Sequence, residues 1–148
     1  METGNTRRMA REWAVQMLTA ADLNPPENVE AFISGFWEEL EILDNEEEGA
    51  IKGARGGLKR FAEERVRGVL GSLAELDSVL GSLLANWDIS RLGTVERAVL
   101  RLGLWELKYS DVPKAVVINE AIDLANWFGT PKSRPIVNGV LDKFSKSL

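Results

Sequence analysis

From Leu92 to Phe128 the chain has little that can face water on more than one side. Read at helical spacing, Val95, Ala98, Val99, Leu102 and Trp105 form one apolar arc. Leu100, Leu104 and Leu107 form a second, and Arg97, Arg101 and Lys108 are confined to a narrow stripe. That pattern predicts a buried central helix rather than a surface one. After the break Tyr109-Ser110-Asp111-Val112-Pro113 a second helix repeats it. Asn119, Asp123 and Asn126 share a stripe, and apolar residues from Ala115 to Phe128, Val116 and Trp127 among them, fill the rest. Other elements must wrap around this pair.

The flanking sequence supplies them. A first helix is expected from near Thr6 to Asp22, with Ala10, Trp13, Ala14, Met17, Leu18 and Ala21 recurring on one side until Asn24-Pro25-Pro26 stops it. A second runs from about Glu27 to Leu43, with Val29, Phe32, Ile33, Phe36, Trp37 and Leu40 opposite an acidic face. The glycine-rich segment 44–57 reads as a connection. Helical spacing resumes from Leu58 to Ala85, with a break expected at Gly71-Ser72, and a short turn covers Ile89 to Leu92. Thr94 is the expected N-cap of the central helix. Pro113 suits the start of the next helix, where its missing N–H is not needed, and Gly129 its end. A last helix runs from Ile136 to Phe144. Asn138-Gly139 has the dipeptide of a tight hairpin, but no strand pattern exists elsewhere to pair with it. The expected fold is all-α, with about seven helices.

Composition removes several functions. The 148 residues include no Cys and no His, which excludes thiol nucleophiles, histidine bases and cysteine metal centres. Neither a Gly-x-Ser-x-Gly elbow nor a paired-carboxylate motif occurs, and segment 44–57 lacks P-loop spacing. Glu106, inside the apolar arc, reads as a structural carboxylate with a partner. No enzyme, cofactor or metal is therefore expected. No apolar run is long enough to span a membrane and no secretory signal opens the chain, so a cytoplasmic location is expected.

Charge is segregated. The net charge is −5, and Glu27 to Glu48 contains acids and no bases. Yet Arg7, Arg8 and Arg11 crowd the start of the first helix, and Lys132, Arg134, Lys143 and Lys146 follow Gly129 against Asp142 alone. Arginines are unfavourable at a helix N-terminus by a few tenths of a kcal/mol each. On the residues alone they read either as a solvated N-terminal turn or as an anion site, where the side chains and free helix N–H groups face phosphate together.

The residues now in hand resemble the transcription antitermination factor NusB family. The resemblance rests on Arg8-x-x-Arg11-Glu12-x-Ala14-x-Gln16-x-Leu18, on Trp87 to Leu92, and on Val95-Glu96-Arg97-Ala98-Val99-Leu100-Arg101-Leu102 with Glu106-Leu107. It continues through Val112-Pro113, Val117 to Ala125 and Val137-Asn138-Gly139-Val140-Leu141-Asp142. Together these span most of residues 7–142. The resemblance implies two small packed helical bundles, about 1–85 and 86–148, in one RNA-binding domain. It implies binding to single-stranded box A RNA of ribosomal RNA leaders together with NusE, a small-subunit ribosomal protein, within an antitermination complex on RNA polymerase. The RNA-binding residues it implies are Arg7, Arg8, Arg11, Gln16, Lys132, Ser133, Arg134 and Asn138, with the two basic groups on a common face. The NusE contacts it implies are Val66, Val69, Glu75 and Leu76. Met9 stands where a basic residue is common, and Thr19 and Ile136 where aromatics are usual. Two other readings fit the same residues: a helical protein-interaction module, and the RNA-binding domain of a ribosomal RNA methyltransferase fragment. Homodimerisation through an exposed Phe36 or Trp37 is a further expectation.

Overall fold

A computed structural model describes residues 7–44, 52–84 and 89–148. Among these, seven α-helices and one short 3-10 turn account for the regular structure, and no strand occurs. The helices are α1 (Arg7–Leu23), α2 (Val29–Asp44), α3 (Lys52–Leu70), α4 (Leu73–Leu83), α5 (Thr94–Tyr109), α6 (Lys114–Phe128) and α7 (Ser133–Lys146). The 3-10 turn is Ile89–Arg91. Residues 45–51 of the expected connection, and Trp87 and Asp88 of the sequence signature, lie outside the described residues. Contacts divide the chain into Met1–Arg67 and Gly68–Leu148. The division falls before α4, not near residue 85, because α4 packs against α5.

In the first unit, α1 presents Ala10, Trp13, Ala14, Met17, Leu18 and Ala21 to the core, as its spacing predicts. Asn28 caps α2: its Oδ1 accepts the Ala31 N–H at 2.9 Å. Trp13 and Trp37 meet edge to face with centroids 5.3 Å apart, and Phe36 abuts Trp37 at 5.1 Å. The Trp37 indole donates to Glu63 at 2.7 Å. Trp37 is therefore a core residue, and the exposed aromatic face expected for self-association does not form there. α3 begins at Lys52, so residues 52–57 are helical rather than part of a connection. Each glycine costs a helix roughly 1 kcal/mol, but extension of an existing helix adds a hydrogen bond per residue, which offsets that cost.

In the second unit, α5 is the central element. It packs against α4, α6 and α7, and Ala98 to Leu107 are buried except for Arg101. Burial of each leucine there contributes about 1.5–3 kcal/mol. Gly103 lets α7 come close, since a Cβ there would sit 2.7 Å from Leu141. The polar stripe of α5 is tied down. Arg101 grips Asp77 with two bonds of 2.8 and 2.9 Å, and Lys108 bonds Glu75. Glu106 is buried and is not without a partner. Gly93, not Thr94, occupies the N-cap position, in extended backbone and without a side-chain cap.

α6 differs from expectation. Val117, Ala121, Leu124 and Ala125 are buried, but Ala115, Val116 and Trp127 are exposed. It is a one-sided amphipathic helix whose apolar surplus faces outward. Segment 138–139 lies within α7, so the hairpin alternative is absent.

Candidate nucleic-acid interface

The basic start of α1 is built around a ring from α3. Phe61 has the Arg65 guanidinium 3.4 Å from its centroid, Arg7 at 4.9 Å and Arg11 at 5.1 Å. Cations over an aromatic face gain from the ring quadrupole, more so when desolvated. Arg65 also donates to the Phe61 carbonyl and to Glu64. The three arginines of α1 thus divide their work. Arg7 is exposed and Arg8 half-buried, but Arg11 is only 3% exposed. Arg11, expected to touch RNA, has its guanidinium against the Phe61 ring. Sequence carried a signal for this. Arg11 precedes Ala14 by three residues, Val15 by four and Leu18 by seven, and all three are buried. Gln16 is exposed.

The second basic group occupies the turn into α7, where hydroxyls organise the backbone. Ser133 Oγ accepts the Thr130 N–H at 3.0 Å and donates to the Glu96 carboxylate of α5, while Lys132 N–H reaches Thr130 Oγ1 at 3.3 Å. Ser133, expected to touch RNA, is fully buried. Both its donor and an acceptor position are already used. Gly129 ends α6 in extended rather than left-handed backbone, and glycine is needed there for space: a Cβ would overlap Ser133 Oγ and stand 2.8 Å from the Ala125 carbonyl. The clamp leaves Lys132, Arg134 and Asn138 exposed, Arg134 and Asn138 one turn apart on α7. Neither Lys132 nor Arg134 is in an ion pair among the described residues. Phe61, Arg65 and Glu96 were not singled out from sequence, because their roles depend on long-range contacts.

Of the residues expected to meet a protein partner, Val66, Val69 and Leu76 are at most 1% exposed and serve the core. Glu75 remains accessible on α4, and it is linked to α5. It receives the Tyr109 hydroxyl at 2.7 Å together with the Lys108 ammonium. The hydrogen bond from Lys108, and then that from Tyr109, hold the Glu75 carboxyl below its ordinary range. The same carboxylate pushes the Tyr109 hydroxyl up. Among the described residues no cluster of acids suits a metal ion, and no helix is long and apolar enough to cross a membrane.

Residues 8–146 match the NusB family. The chain is 38% identical over 143 residues to the transcription antitermination protein NusB of Nitratiruptor, covering 97% of this chain and 94% of that protein. Its fold is similar to that of T. maritima NusB, with a TM-score of 0.77 and 31% identity over 99% of this chain and 93% of that one. It is also similar to a chain in a crystal structure of the antitermination factors NusB and NusE in complex with dsRNA, with a TM-score of 0.74 and 28% identity. That match covers 96% of this chain and 97% of the other.

Proposed function

This chain belongs to the NusB family, and from that premise we propose how it works. It is a transcription antitermination factor that binds box A RNA of ribosomal RNA leaders together with NusE. The bound complex helps RNA polymerase read through terminators. The observation that carries this reading is the near full-length match to NusB proteins, one of them in a complex with NusE and RNA. Within the chain, Arg7, Arg8, Lys132 and Arg134 supply phosphate contacts, and Gln16 and Asn138 supply hydrogen bonds to bases. Arg11 and Ser133 act from behind, holding those side chains in place. Glu75, with Tyr109 beside it, offers NusE an accessible polar and aromatic contact. The protein acts in the cytoplasm by binding and not by catalysis.

The test is a filter-binding titration of box A RNA with and without NusE, against an RNA of scrambled sequence. Box A should bind more tightly than the scrambled RNA, and more tightly still when NusE is present. Equal binding of both RNAs under both conditions would overturn the reading.

A further inference from the structure

Trp127 is 76% exposed, the most exposed large apolar side chain among the described residues. Trp13, Trp37 and Trp105 are all buried, so the other indoles among the described residues are core material. Leaving one in water forfeits a large hydrophobic gain, since an aromatic side chain can bury 150–250 Å². The side chain is not needed for packing: α6 buries Val117, Ala121, Leu124 and Ala125, and Trp127 lies well to one side of that stripe. It sits in the last turn of α6, two residues before Gly129, and the clamped turn at Thr130 and Ser133 follows at once. Lys132 is five residues away, at most about 18 Å even for extended chain. The hydrogen-bonded turn makes the separation shorter.

We propose that Trp127 is a base-stacking platform for single-stranded RNA whose phosphates are held by Lys132 and Arg134. The proposal rests on the RNA-binding function above and adds a residue to it. An exposed aromatic followed within a few residues by exposed cations, which form no ion pair among the described residues, suits the way proteins hold single strands: the cations track the backbone and the ring takes a base. Charge decides between this and a protein contact, and it also sets direction. The cations Lys132 and Arg134 are exposed and lie just after Trp127 in the chain. A strand stacked on the indole therefore leaves toward α7.

Box A RNA labelled at one end is titrated by fluorescence anisotropy, with NusE present, against the wild type, Trp127→Ala, Trp127→Phe and Lys132→Ala/Arg134→Ala. Trp127→Ala should weaken binding about 5- to 100-fold. Trp127→Phe should keep most of the affinity, because a smaller ring still stacks. Neither should change the salt dependence, which the double lysine–arginine variant should reduce. A wild type that fails to bind box A defeats the function proposed above. A wild type that binds, with Trp127→Ala binding equally well, overturns only the stacking role. Loss of NusE binding by Trp127→Ala in the absence of RNA, with RNA affinity unchanged, would also overturn it and make the indole a protein contact.

Discussion

Thr19 has a hydroxyl with no use in the fold. Its Oγ1 is the one buried side-chain polar atom among the described residues with no hydrogen-bond partner. A polar atom removed from water and left unpaired costs about 1–3 kcal/mol, whereas a methyl of the same size costs nothing of the kind. Thr19→Val should therefore stabilise the protein by about 1 kcal/mol, seen as a rise of about 2–4 °C in the melting temperature. Ser133 is the opposite case, because its hydroxyl serves two partners at once. Ser133→Ala should cost about 1.5–3 kcal/mol, the range for a hydrogen bond to a charged group, and should weaken RNA binding with no change in its salt dependence. Unchanged stability in a chemical denaturation series would show that the clamp does not hold the turn. Both residues show the limit of reading sequence at this scale. Polarity marks Ser133 and Arg11 as candidates for contact with a ligand, and only coordinates reveal that each is turned inward.

Between elements, the α4–α5 clasp of Glu75, Lys108 and Tyr109 responds to pH. Glu75 has its folded pKa lowered, so its contribution is present above the ordinary carboxylate range and is lost as pH falls through the folded value, below 4.5. Tyr109 and Lys108 have theirs raised, so their contribution is present at neutral pH and is lost only as pH rises above the ordinary 10.0 and 10.5. The clasp is complete between these limits. The melting-temperature difference between wild type and Glu75→Gln should be small, because the groups are exposed and screened. It should be flat from pH 6 to 9 and shrink on acidification below 4.5. A difference that grows on acidification would contradict the assignment. Helix positions and the buried face of α5 were legible because apolar periodicity is a local signal. The partners of its polar stripe were not, since Asp77 and Glu75 are matched to Arg101 and Lys108 by packing alone. Helix α6 was overread for a related reason. An apolar surplus looks like burial in sequence, but the stripe from Val117 to Ala125 suffices to seat the helix.

At the scale of the whole molecule, a net charge of −5 would keep most nucleic acids away, so binding must come from local groups. With Arg7, Arg8, Lys132 and Arg134 neutralising three to four phosphates, log K in the box A titration should fall against log salt with a slope of about −2 to −3. A slope near zero would show that the cations are not in contact. The segregation of charge was plain in the sequence. The division of the chain at Arg67 was not, because α3 runs through it without a break in pattern. The ring of Phe61 carries a last consequence. Three guanidinium groups gathered on one side chain repel each other, and the Glu64 carboxylate paired with Arg65 offsets part of that repulsion. A polyanion drawn to Arg7 offsets it. Ligand occupancy and the cohesion of α1 with α3 are thus thermodynamically linked.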